Sequence, residues 1–260
     1  MHRALTSLPL CITIAACGFL LAYGPIAQLP DYHEFADRSS FAGIPHAGDV
    51  LSNIGFALVG IWGWLSLQPA ASRAFMRDSW TGYRLFFLGL ILTALGSGFY
   101  HLAPDNARLV WDRLPIALAC AGLLTAVRAE THPNVNAPLT VACLTLFACA
   151  SVAWWYVTDL RGQGDLRPYL LIQALPLILI PIWQSLYSSP RHERISFGLA
   201  LALYVIAKVA ELYDHQIASA LGWISGHTLK HLLAAAGAAV LTGTLITRAP
   251  RIEHRRAVAL

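Results

Sequence analysis

Charge is scarce in this chain. Of 260 residues only 12% are Asp, Glu, Lys or Arg, where a soluble domain carries about 25%. So little polar surface cannot cover a globule, which excludes a water-soluble domain and makes the bilayer the solvent. Acidic residues are the scarcer sign, 14 against 18 Lys and Arg, and the net charge of +4 gives no case for a nucleic acid partner. Cysteine is limited to Cys11, Cys17, Cys120, Cys143 and Cys149. All five fall in apolar stretches without C-x-x-C spacing, so they read as small buried side chains and not as a disulfide framework. Low-complexity tracts, internal repeats and any soluble domain are also absent.

What fills the chain is apolar: 57% hydrophobic residues and a mean hydropathy of +0.56. Eight apolar segments can be traced, at roughly 5–26, 49–67, 82–102, 110–127, 138–157, 169–188, 195–213 and 226–247. Most reach the roughly 17–25 residues that a membrane-spanning helix needs. The fold class is therefore an all-α, polytopic membrane helix bundle. The first segment has a short basic start, but its apolar run exceeds that of a signal peptide and no clean small-residue cleavage site follows. It is read as a retained extra helix within residues 1–27. A loop over 28–48, a helical membrane domain over 49–247 and a basic tail over 248–260 follow.

Lys and Arg collect in cytoplasmic loops. With eight helices one side receives eleven arginines: Arg3, Arg73, Arg77, Arg84, Arg128, Arg191, Arg194, Arg248, Arg251, Arg255 and Arg256. The other receives five: Arg38, Arg108, Arg113, Arg161 and Arg167. Both termini are thus expected in the cytoplasm.

Against this background "GSGFYHLAPDNARLVWD", from Gly96 to Asp112, is out of place. An ionisable group at the centre of a membrane helix costs roughly 2.5–3.5 kcal/mol on insertion scales and is a functional candidate by default. Ser97 and His101 stand four apart on one helical face, and so do His227 and His231 in "GHTLKHLLAAAGAAVL". Helix direction puts His101, Asp112, His227 and His231 at one leaflet. Three imidazoles without a fourth protein ligand are the open, catalytic form of a zinc site, which acidifies water. Asp112 is then the general base and Ser97 a hydrogen-bonding partner of water or oxyanion. By themselves these residues point to an intramembrane metal-dependent hydrolase.

The three motifs "SGFYH", "WDRLP" and "HTLKH" resemble those of the alkaline ceramidases in the CREST membrane hydrolase superfamily. "DVLSNIGFALVG" is similar to the first core helix of that group, with Ser52 and Asn53 in matching positions. The likeness runs in order over roughly residues 31–247 and suggests a bacterial-type member. It implies a seven-helix core to which the first segment is an addition, with one Zn2+ held by His101, His227 and His231. It further implies catalytic roles for Asp112 and Ser97 in hydrolysing the N-acyl amide of a ceramide-like lipid. The implied setting is a bacterial inner membrane, with the active site towards the outer leaflet and lipid arriving sideways. In "PDYHEFADRSSFAGIPHAGD" the residues Asp31, Glu34 and Asp37 stand where the family carries a calcium-binding stretch, and they are either a Ca2+ site or a solvated loop. Two alternatives remain open: a hydrolase of another acylated lipid, and a receptor-like or transport protein with a structural metal.

Other polar residues read more plainly. Lys208, Glu211 and Asp214 form either an intrahelical ion-pair group or a support for the zinc ligands. Lys230 is expected to snorkel outwards. Trp111, Trp154, Trp155, Tyr156 and Trp223 read as interfacial anchors. His33, His132, His192, His215 and His254 read as solvated. Pro176 and Pro181 should kink the sixth segment.

Overall fold

The computed structural model describes residues 7–71, 76–132 and 135–258. Arg3 and Arg73, two of the arginines used above for orientation, lie outside them. The chain is a multi-pass, all-α bundle with seven helices long and apolar enough to cross a bilayer: Ala47–Ala70, Arg77–Leu102, Asn106–Thr131, Ala137–Asp159, Arg167–Leu186, Arg191–Leu212 and Gly226–Arg248. In chain order the helices are α1 (Leu8–Tyr23), α2 (Ala47–Leu51), α3 (Ile54–Leu67), α4 (Arg77–Leu102), α5 (Asn106–Thr131), α6 (Ala137–Asp159), α7 (Arg167–Leu186), α8 (Arg191–Leu212), α9 (Asp214–Leu221) and α10 (Gly226–Val258). A two-stranded antiparallel hairpin, β1 (Ser40–Phe41) and β2 (Ile44–Pro45), precedes α2. Because α10 is helical through Val258, the residues read as a tail extend the last helix.

The expected first helix forms, but it is short. At 16 residues α1 spans about 24 Å at 1.5 Å per residue, below the roughly 30 Å of a hydrocarbon core. It still follows the bundle from end to end. Its Pro9 and Leu10 line one groove with Arg128 and His132, where α5 finishes. At the other end Arg167 Nη1 donates to Leu20 O at 3.1 Å, and Leu166 N donates to Ile26 O at 2.8 Å.

Helix α5 is the axis. Its Ala117, Ala121 and Leu124 pack into an apolar cluster with Val152, Ile172 and Ile180, while Ala119 and Ala126 face a second cluster containing Phe86, Phe87 and Ala235. The contact between α4 and α5 is built on absent side chains. Gly82, Gly89 and Gly96 recur every seventh residue of α4, and a Cβ on any of them would lie within 3 Å of the α5 backbone. Small residues permit such close approach where helices have only van der Waals packing to hold them. Pro115 sharpens the lowest contact. It has no N–H to give to Trp111 O, so that carbonyl is freed, and Gly96 leaves it room: a Cβ there would sit 1.9 Å from Trp111 O. This fixes the turn of α5 that carries Asp112 against the turn of α4 that carries Ser97.

The proline-containing α7 stays continuous through Pro176 and Pro181. At the arginine-rich end Arg248 binds Glu193 at 3.2 Å and forms a short ion pair with Glu130, which also accepts from Tyr83 at 2.9 Å. Four of the long helices are tied together there.

Candidate metal centre

The other end carries the histidines. His101 ends α4, Asp112 lies in the second turn of α5, and His227 and His231 occupy the first turns of α10. Ser97, His101, Asp112, His227 and His231 are all buried. The ligating nitrogens of His101, His227 and His231 lie within 4.8 Å of one another, the one such group of His, Cys, Asp or Glu among the described residues. His101 Nε2 and His227 Nε2 are 3.2 Å apart. Two imidazoles sharing an ion at about 2.0–2.1 Å in tetrahedral geometry separate their nitrogens by roughly 3.3 Å, so the pair fits. The group can bind a metal ion.

Local sequence explains the convergence. Ser225 caps α10 by accepting Thr228 N at 2.9 Å. Gly226 allows the helix to start against α8, where a Cβ would meet Ala210 O at 2.1 Å. Asp214 then accepts His227 N at 2.7 Å through one oxygen and Ala36 N at 2.8 Å through the other. It supports the backbone of a histidine and not its ring. The ring of His231 is set by Ser52. The Ser52 hydroxyl donates to Asp49 O at 3.2 Å, which leaves its oxygen to accept His231 Nδ1–H at 2.9 Å. That choice of tautomer turns the lone pair of Nε2 inward. His101 Nδ1 has no partner among the described residues. Phe35 covers the group, its ring centroid 4.7 Å from that of His101 and 4.3 Å from that of His227.

Asp112 is not one of the converging ligands; its carboxyl lies beside the Ser97 side chain. Lys230 departs from expectation. Instead of snorkelling outward it turns into the bundle, with Nζ 2.8 Å from Glu211 Oε1 and 3.0 Å from His227 Nε2. Glu211 also makes a short ion pair with Lys208. The expected ion pair of α8 therefore exists and reaches the histidines through Lys230.

The three calcium candidates do not converge on one point. Asp31 and Glu34 are exposed, and with Asp37 they form no second converging group among the described residues. Asp37 is committed elsewhere, accepting Ser39 N at 2.8 Å and Asp49 N at 2.9 Å. Burial works to raise its carboxyl pKa, but these bonds, the Ser39 hydroxyl and nearby His46 outweigh it and leave the group below its ordinary range.

Several residues read as solvated or interfacial are internal. His33 bridges Tyr100 Oη at 2.8 Å and Asn106 Oδ1 at 2.7 Å, which pins residues 31–37 across the metal centre. His132 packs against Trp183 and Tyr187. Trp155 is fully buried, whereas Trp111, Trp154 and Trp223 are exposed as expected of anchors. Arg113, counted above among loop arginines, is buried in α5; its place one residue after Asp112 was the only sequence signal for it.

Fold and site define a multi-pass helical membrane protein with a buried three-histidine group able to hold a metal ion. No protein-family model and no curated protein sequence matches the chain.

Proposed function

We propose that this protein is a zinc-dependent intramembrane amidohydrolase that cleaves the N-acyl amide of a ceramide-like lipid with water, giving a fatty acid and a free sphingoid amine. One observation carries the reading: three buried imidazoles converge with no fourth ligand in their group among the described residues, and buried Ser97 and Asp112 stand on facing turns of α4 and α5. Structural zinc sites are closed by four protein ligands, whereas catalytic ones keep a position open. Bound zinc supplies Lewis acidity, polarising a carbonyl and bringing water towards ionisation near neutral pH.

The chain's own groups do the rest. Asp112 takes a proton from the attacking water and returns it to the leaving nitrogen. Ser97 donates to that carboxylate and orients it. Ser52 holds His231 in the tautomer that presents Nε2. Phe35 and the His33-pinned segment keep bulk water from the centre. The lipid and amide classes rest on the resemblance of "SGFYH", "WDRLP" and "HTLKH" to the alkaline ceramidase motifs. The arginine asymmetry supports a centre at the outer leaflet of a bacterial inner membrane with both termini cytoplasmic.

The test is metal analysis joined to a hydrolysis assay on a lipid panel, with and without chelator. Purified protein should hold about one zinc per chain and release fatty acid from an N-acyl sphingoid base. His101→Ala should lose both. Full zinc and full activity in that variant would remove the site from consideration.

A further inference from the structure

A groove of about 640 Å³ runs between α1 on one side and α5, α6 and α7 on the other, at the end of the bundle away from the histidines. Leu10, Leu124, Leu144, Leu175 and Leu179 line its length. Leu10 and Leu139 at its rim are exposed, so it is open along one side. Its end is of a different character. Arg128, in the last turn of α5, lies there with His132, Trp183 and Tyr187. The Arg128 guanidinium carbon stands 5.9 Å from the ring centroid of Trp183. Among the described residues no carboxylate lines the groove and none pairs with Arg128.

Depth sets this end at the edge of the hydrocarbon. The 26 residues of α5 span about 39 Å at 1.5 Å per residue, about 9 Å more than a hydrocarbon core of roughly 30 Å. Shared equally, about 4.5 Å of helix emerges on each side. Arg128 stands three residues, about 4.5 Å, before the last residue of α5, Thr131. Leu175 precedes Trp183 by eight residues of α7, which sets it about 12 Å deeper. The groove thus has a cation at headgroup level and an apolar run towards the middle of the bilayer. Hydrocarbon fills such a run, because a void would forfeit the dispersion contacts of its walls. The opposite charge available at headgroup depth is lipid phosphate, which a guanidinium binds through paired N–H donors.

We propose that this groove is a binding site for one anionic phospholipid, its phosphate on Arg128 and one acyl chain between α1 and the rest of the bundle. The volume falls in the roughly 300–1,000 Å³ of ordinary ligand sites. The arginine-rich end of the bundle is also the side on which anionic lipid collects. Because Pro9 and Leu10 of α1 form one wall, the chain is held by protein on two sides and does not merely lie on an outer surface. This gives the added first helix a role. The site is separate from the metal centre, at the opposite end of α5, and is independent of the chemistry proposed there.

The test uses the full-length protein in a neutral maltoside detergent with dioctanoylphosphatidylglycerol and dioctanoylphosphatidylcholine, which share chains and phosphate and differ in net charge. Binding is read by thermal shift and by alkylation with N-ethylmaleimide, resolved residue by residue in peptide mass spectra. Cys143 lines the groove, while Cys149, also exposed on α6, does not. Phosphatidylglycerol should bind about fivefold more tightly than phosphatidylcholine, the size of one basic residue's attraction to an anionic headgroup. It should slow alkylation of Cys143 severalfold and leave Cys149 unchanged. Arg128→Gln should bring the two lipids level, and Arg128→Lys should keep most of the preference. Cys143→Trp, which fills the groove from its exposed side, should weaken binding of both lipids at least tenfold. Equal protection of the two cysteines would mean that lipid only coats the surface, and would overturn the site. Equal affinity of wild type for the two lipids overturns the anionic headgroup, as does an undiminished preference in Arg128→Gln. Where that variant does not fold, the comparison of the two cysteines in wild type decides.

Discussion

Ser52 is the smallest change that tests the metal centre. Its oxygen accepts His231 Nδ1–H at 2.9 Å, and removing such a partner of a ligating histidine typically costs 10–100-fold in metal affinity or activity. Ser52→Ala should therefore weaken zinc retention by about that factor, measured by competition with a chromophoric chelator, while unfolding temperature changes little. Unchanged retention would mean that something else orients the ring. Asp112→Asn tests the other role, because Asp112 stands outside the ligand group. Zinc should stay near one per chain while the rate per bound metal falls by about 10²–10⁴, the usual size of a general-base contribution. The three ligands were legible in the chain because four-residue spacing shares a helix face and helix direction set them at one leaflet. Their supports were not. Ser52 is 179 residues from His231, and no local pattern marks such a pair. Lys230 misled for a related reason: snorkelling is the default for a lone lysine, and Glu211 binds it from 19 residues away.

Among the helices, the α4–α5 pair sets the position of Asp112 relative to Ser97 through Gly96 and Pro115. Two alanine substitutions on one turn of α4 separate packing from propensity. At Gly96 the added Cβ would sit 1.9 Å from Trp111 O, against backbone that cannot turn aside; at Gly98 nothing lies within 4 Å. Gly96→Ala should force α5 away and carry Asp112 from Ser97, destabilising by several kcal/mol as overpacking does when the neighbour is rigid and abolishing turnover. Gly98→Ala should be neutral or stabilise by roughly 0.5–1 kcal/mol, the helical advantage of Ala over Gly. Thermal unfolding and hydrolysis rates check both, and equal effects at the two positions would refute the close contact. The seven spans were readable because each carries enough apolar residues to fill a bilayer. Their ends were not, since helices such as Arg77–Leu102 begin among charged residues that hydropathy assigns to loops. The short α9 escaped for the opposite reason, at only eight residues.

The whole molecule is fastened at both ends by buried charge. Arg248 with Glu130 and Glu193 closes one, and Asp165 organises the other. The Asp165 carboxylate accepts from Trp154 Nε1 at 2.9 Å, from Arg167 Nη2 at 2.9 Å and from Ile26 N at 3.3 Å. It thereby joins the segment after α1 to the α6–α7 connection. Burial works to raise this carboxyl, but the Arg167 guanidinium, the Trp154 indole and the backbone donors outweigh it and hold the pKa at about 2. An unfolded aspartate titrates near 3.9. A group depressed in the fold contributes its full stability above the unfolded value and loses it as pH falls through the folded one. Asp165 should therefore contribute up to about 2 kcal/mol at pH 6 that is lost progressively between about pH 5 and about pH 1. In Asp165→Asn, unfolding at pH 6 should come at lower temperature than in wild type, and the gap should shrink to roughly a third as the pH is lowered to 2.5. Because every other carboxyl is shared by the two proteins, the difference isolates this one. A gap of the same size at both pH values would show that Asp165 acts through packing alone, and that its charge does not hold the N-terminal segment to the bundle.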